Sequence, residues 1–188
     1  MRGLANRDRI RALMEALGRA AHNDVRIFLV GGTTAVIEGW RDATIDFDFV
    51  MRPEDDALLR AIPALKEQLQ INIELASPAD FIPVPAGWED RGRFIMRIDR
   101  AEFYHFDLYA QALAKVERGH EKDLLDVHEM MARGLVQPTR AMEYFEQIES
   151  QLYRFPAIHA PSFRRAVEQV FGSESTGRER SEGYPQGA

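Results

Sequence analysis

Asp46-Phe47-Asp48 is the segment of this sequence whose residue types are best placed to do chemistry. Residues 44 to 51 set Asp46 and Asp48 against Phe47 and Phe49. On a strand, both carboxylates would then share one face while Ile45, Phe47 and Phe49 turn toward a core. Two ionised carboxylates about 5 Å apart repel by roughly 3 kcal/mol at an effective dielectric near 20. A hard cation relieves such a pair, and Mg²⁺ or Mn²⁺ also accepts phosphate oxygens. Aspartate is depleted in strands, so two in one strand invite a chemical reason. The other reading is an exposed edge strand that carries charge against unwanted pairing. Glu74 bears on the choice. In Ile71-Asn72-Ile73-Glu74-Leu75 the apolar positions alternate, which puts Glu74 on the polar side of its strand. If that strand lies beside the Asp46 strand in matching register, three carboxylates converge. That is enough to hold two metal ions, which activate an attacking oxygen and stabilise the leaving one in phosphoryl or nucleotidyl transfer. Read alone, Glu74 also fits an ordinary half-exposed strand residue.

Fourteen residues upstream of Asp46-Phe47-Asp48, Gly31-Gly32 closes the run Arg26 to Val30 and precedes a helix expected over Thr33 to Trp40. Glycine permits close backbone approach, and the free N–H groups of a helix start suit a phosphate. Thr33 or Thr34 is available to cap that helix. No Gly-Lys-Ser/Thr follows, so this is not a Walker A loop.

The elements that must position these groups follow from periodicity. Ile10, Leu13, Met14, Leu17 and Ala21 fall at helical spacing between Arg7 and His22, with arginines on the outer face. Pro53 with Glu54, Asp55 and Asp56 marks the start of a helix running to about Gln70, kinked or split at Pro63. Residues 77 to 93, with three prolines and Gly87, read as a long loop, either a substrate-facing lid or a segment packed down by Phe81, Trp88 and Phe94. Strands are expected at 94–98 and 102–106, turning at 99–101, and helices at 108–118, 121–133, 138–154 and 161–171. The last stretch, 172–188, is almost free of apolar residues and reads as a disordered tail.

The run Phe28 to Thr34 with its Gly-Gly turn, then Arg41, then Thr44-Ile45-Asp46-Phe47-Asp48-Phe49, resembles the signature of the polymerase-beta-like nucleotidyltransferase superfamily. The resemblance implies an α+β fold, a small mixed sheet flanked by helices. It implies that Asp46, Asp48 and Glu74 hold the metal, although the family more often has Asp at the third position. It also implies that Gly31, Gly32, Thr33, Arg41 and Thr44 belong to the nucleotide site, with Thr44 supporting the Asp pair. A looser likeness is to the abortive-infection branch, whose AbiEii-type members are toxins of toxin–antitoxin pairs. Its helix bearing Lys and Arg, followed by a Lys-Asp-x-x-Asp helix, is matched by Lys115 and Arg118 ahead of Lys122-Asp123-Leu124-Leu125-Asp126. There Lys115 and Arg118 would meet nucleotide phosphates and Asp123 would position substrate or base. The residue pattern alone equally fits a solvated face tied by ion pairs.

The 188 residues carry a formal charge of −6 and no cysteine, which excludes thiolate zinc sites, iron–sulfur clusters and cysteine nucleophiles. Most of the acid excess lies between Asp42 and Asp56, where six acids face Arg52 alone. His105, His120, His128 and His159 lack His-Glu-x-x-His spacing, which argues against a zinc hydrolase. With no membrane span and no leader pattern, a cytoplasmic protein is expected. The expected organisation is a nucleotidyltransferase-like core over 1–107, a helical part over 108–171 and the tail. The expected activity is metal-dependent transfer of an NMP from an NTP to a hydroxyl or phosphate acceptor on a tRNA, a protein or a small molecule. A possible antitoxin would be its partner. The alternative is a non-catalytic binding or regulatory protein of the same fold.

Overall fold

Period-two alternation decides how the central strands divide their side chains between two cores. In the computed structural model, which describes residues 3–172, β1 (Ala5–Asn6) pairs with β3 (Ala43–Thr44) as a small ribbon. The main sheet is formed by β2 (Val25–Val30), β4 (Asp46–Arg52), β5 (Asn72–Leu75), β6 (Arg93–Ile98) and β7 (Ala101–His105), in the order β5-β4-β2-β7-β6. β2 runs antiparallel to β4 and parallel to β7, while β5 runs parallel to β4. This mixed sheet with seven helices among the described residues is the α+β architecture expected.

Ile27, Leu29, Phe47, Phe49, Ile73 and Phe103 face one side of the sheet. There they pack against α1 (Arg7–Ala20) through Ile10, Leu13, Met14 and Leu17, and against α3 (Asp56–Leu69) through Leu58 and Leu65. Burying a Phe side chain contributes about 1.5–3 kcal/mol, so Phe47 and Phe49 fix the parity of β4 strongly. Phe28, Val30 and Val50 face the other side, under α4 (Leu108–Arg118), α5 (Glu121–Ala132), α6 (Pro138–Glu149) and α7 (Ala160–Phe171). Asp46 and Asp48 share the parity of Val50 and therefore lie on this second, helical face.

Several expectations are corrected. Ile45 is 68% exposed, because residue 45 is a bend between β3 and β4 and the alternation begins only at Asp46. Pro53 stays outside α3, in a cis peptide bond with Arg52, and Asp55 caps the helix by accepting from the Ala57 and Leu58 N–H groups. α3 runs unsplit through Pro63, which sits on its exposed side where water can take the carbonyl that the proline leaves free. α2 (Gly31–Glu38) begins at the glycines themselves, with Val30 at its cap position, so Thr33 and Thr34 lie inside it. α6 stops at Glu149, and Leu152–Arg154 forms a separate 3-10 turn closed by i to i+3 bonds. The loop at 77–93 is packed down by Trp88 and Ile82, while Phe81 and Phe94 stay more than half exposed. Ile82 is fully buried, Trp88 stacks on Phe106 at 4.2 Å and meets Phe28 edge-on at 4.9 Å, and Arg91 bonds Asp107 at 2.6 Å. Gly172 caps α7, and the rest of the expected tail, 173–188, lies outside the described residues. Among the described residues no helix is long and apolar enough to cross a membrane.

Candidate functional site

Register places four polar side chains in a square at the β4–β5 margin. Asp46 pairs with Asn72 and Asp48 with Glu74, and paired residues share a face. One carboxylate oxygen each from Asp46, Asp48 and Glu74 lies within 4.8 Å of the others. Asn72 was not anticipated. Its side-chain amide donates to Asp46 Oδ1 at 2.6 Å and to Glu74 Oε1 at 2.9 Å, holding the two outer carboxylates toward each other. Burial, then the charges of Asp46 and Glu74, push the Asp48 carboxyl up to about 6, against the pull of Arg118 and Lys115. A carboxyl held this far above its usual range marks a place where positive charge is short. Three hard oxygen donors around that point fit a hard divalent cation such as Mg²⁺ or Mn²⁺.

The glycine turn meets the triad directly. Gly31 has φ +61°, the left-handed region, and a Cβ there would stand 3.2 Å from Asp48 Oδ2. Its N–H donates to Gln111 Oε1 at 2.9 Å, and Gln111 in turn donates to the Phe106 carbonyl, locking α4 to the end of β2. A Cβ on Gly32 would fall 2.2 Å from Thr44 Oγ1. Thr44 therefore packs on the turn, and the support expected from it is given instead by Thr33. The Thr33 hydroxyl accepts from the Asp48 N–H at 3.1 Å and donates to the Asp46 carbonyl at 3.4 Å. Thr33 is fully buried, so its hydroxyl belongs to the scaffold.

The basic residues form one network across the helical layer. Asp126, nearly fully buried, accepts from Trp40 Nε1 at 3.0 Å, from Arg41 Nε and Nη2 at 2.8 Å each, and from Lys115 Nζ at 2.6 Å. Lys115 Nζ also reaches Asp123 at 3.2 Å, and Arg118 grips Asp123 with bonds of 2.6 and 2.5 Å. Burial pushes the Asp123 carboxyl up, but the Arg118 hydrogen bonds and the Lys115 charge hold it below its usual range. The ion pairing expected on these helices is present, but buried and directed at Asp123 and Asp126. Three cations face two carboxylates, so one positive charge remains, and Arg118 and Lys115 both act on Asp48. Two of the three Lys115 donors are taken, while the Arg118 side chain is 54% exposed. Arg41 Nη1 stands 3.7 Å from where a Cβ on Gly32 would be, so it borders the turn.

Three other charged or titratable side chains are committed elsewhere. Arg93 pairs with Glu38 at 3.3 Å, and Arg91 is committed to Asp107. His105 is buried and satisfied between Thr34 Oγ1 at 3.2 Å and Glu38 Oε1 at 2.8 Å. Asn72 escapes sequence reading because only register gives it partners, and Asp126 is visible there only as the end of the Lys-Asp-x-x-Asp match, its partners Trp40 and Arg41 being set by helix docking. The one visible signal for Asn72 is a polar residue at a position whose periodicity faces the acids.

A family model described as nucleotidyltransferase of unknown function (DUF6036) matches residues 8–153. No curated protein and no solved structure matches the chain.

Proposed function

The chain belongs to this nucleotidyltransferase family, and we propose that it transfers a nucleoside monophosphate from an NTP to a hydroxyl or phosphate acceptor. The observation that carries the reading is the convergence of Asp46, Asp48 and Glu74 beside a glycine turn at the start of α2. Asp46, Asp48 and Glu74 would hold Mg²⁺ or Mn²⁺. When bound, the ion supplies positive charge to the reacting phosphate and to the attacking and leaving oxygens.

This chain's own residues do the rest. The backbone N–H groups of Gly32 and Thr33, near the positive end of α2, bind the β,γ-phosphates. The acceptor oxygen attacks the α-phosphorus, the bond to the bridging oxygen breaks, and pyrophosphate leaves with that electron pair. Glu74, the most exposed of the three carboxylates, orients the acceptor and takes its proton. Arg118, Lys115 and Arg41 neutralise charge on the triphosphate from the helical side, and Asp123 keeps Lys115 and Arg118 in place. Asn72 keeps Asp46 and Glu74 aimed at the same point.

The finer assignment, to the abortive-infection branch with a toxin's role and an antitoxin partner, rests on Lys115, Arg118 and Asp123 standing next to the triad. Acceptor classes compatible with this donor site are tRNA ends, protein hydroxyls and small molecules. Calorimetric titration with each NTP in Mg²⁺ and in Mn²⁺ tests the donor site. Metal-dependent nucleotide binding is expected in the wild-type chain and its loss in Asp46→Asn/Asp48→Asn. Equal, metal-independent binding in both proteins refutes the reading and favours the non-catalytic alternative.

A further inference from the structure

At the opposite end of the sheet from the triad, four arginines line one depression of about 290 Å³. Arg26 comes from β2, Arg52 from the end of β4, Arg97 from β6 and Arg100 from the β6–β7 turn. Asp46 and Arg52 are six residues apart on one strand, which is about 20 Å at the rise of a β-strand. A ligand in the depression therefore does not touch the triad.

The charge accounting is uneven. Asp24 and Glu102 also line the depression, and both are engaged by Arg97, at 3.3 and 3.2 Å. Arg26 reaches only Asp90, at 3.7 Å. Arg52 and Arg100 have no carboxylate partner among the described residues. Arg52 is nonetheless oriented, donating to the Met51 carbonyl at 2.9 Å with its guanidinium 5.6 Å from the Trp88 ring centroid. Two of the four guanidinium groups in this concavity thus lack a carboxylate, in a chain whose sum is −6. Guanidinium forks lacking carboxylates, one of them already oriented, match phosphate oxygens in geometry and charge.

We propose that this depression binds a compact oligophosphate, without divalent metal and independently of the triad. Its size suits a diphosphate or a small molecule bearing one. The flanking carboxylates of Asp24 and Glu102 would repel a phosphodiester chain running past the arginines.

Titration calorimetry in EDTA with sodium pyrophosphate tests the assignment, with inorganic phosphate as the second probe. Four full-length proteins are compared: wild type, Asp46→Asn/Asp48→Asn, Arg100→Gln and Arg52→Gln/Arg100→Gln. The Arg100 side chain is exposed and has no ion-pair partner among the described residues, so Arg100→Gln leaves the fold undisturbed. Pyrophosphate is expected to bind wild type and the aspartate variant equally, about fivefold more weakly to Arg100→Gln and about fiftyfold more weakly to the double arginine variant. Inorganic phosphate is expected to bind more weakly than pyrophosphate. The proposal is overturned by an absence of binding in EDTA, by equal affinity in the arginine variants, by loss of binding in the aspartate variant, or by phosphate binding more tightly than pyrophosphate.

Discussion

Asp48 gathers on one side chain the effects that define the site: burial, two neighbouring carboxylates and two cations at the edge. Its carboxyl is raised from 3.8 to about 6, roughly 3 kcal/mol of preference for the protonated form in the folded, metal-free chain. Because the folded value is raised, this stabilisation is complete below pH 3.8 and is lost as the pH climbs through about 6. Two outcomes follow for melting, the first in EDTA and the second with Mn²⁺ added to chelator-free protein. Asp48→Asn should melt higher than wild type at pH 7.5 and equal to it at pH 4, and a lower melting point at pH 7.5 contradicts the charge argument. In wild type, Mn²⁺ should raise the melting point strongly at pH 7.5 and little at pH 5, where the proton competes. Asn72→Ala leaves the outer carboxylates unbridged and should weaken Mn²⁺ affinity tenfold to a hundredfold in a calorimetric titration, while unchanged affinity removes Asn72 from the site. Asp46 and Asp48 were legible in the sequence because period two states which side chains share a face. Asn72 was not, since nothing local shows that residue 72 will stand opposite residue 46.

At the scale of elements, the turn between β2 and α2 brings the phosphate end and the carboxylate end of the site together. Gly32→Ala would drive a methyl group onto Thr44 and should cost about 1–3 kcal/mol in denaturant unfolding. Removing the Oγ1 in Gly32→Ala/Thr44→Ala should restore part of that loss. If Gly32→Ala is neutral, the close packing of the turn on β3 is refuted. The sequence displayed the glycines and the helix that follows, but not which threonine would serve β4. Thr33 and Thr44 stand on opposite sides of the same turn, and only the antiparallel return of β4 presents its backbone to Thr33. Ile45 shows the same limit, because alternation read through residue 45 includes a bend that belongs to no strand. The loop at 77–93 contained its own answer in Trp88 and Ile82, residues too large and apolar for an open lid, and both are packed against the second core.

Across the whole molecule, the helices after residue 107 cover the face of the sheet that bears the acids and send Lys115 and Arg118 to its edge. Their periodicity was readable, and so was their number. Their docking was not, because it depends on long-range pairs such as Arg41 with Asp126, 85 residues apart. Lys115 is the keystone of that docking, buried between Asp123 and Asp126. Lys115→Met removes one charged hydrogen bond from each of two buried carboxylates, which keep Arg41 and Arg118, and should cost about 1.5–3 kcal/mol in urea unfolding, more than a surface lysine would. A cost below about 1 kcal/mol would mean that the network is solvated in solution. Nucleotidyl transfer itself is read most directly with NTPs labelled at either the α- or the γ-phosphate, incubated with the protein, Mg²⁺ or Mn²⁺ and a cell extract. Label is expected to pass to an acceptor from the α-position only, in the presence of metal, and not with Asp46→Asn/Asp48→Asn. Transfer from the γ-position, or α-transfer undiminished in the double variant, would contradict the proposed function.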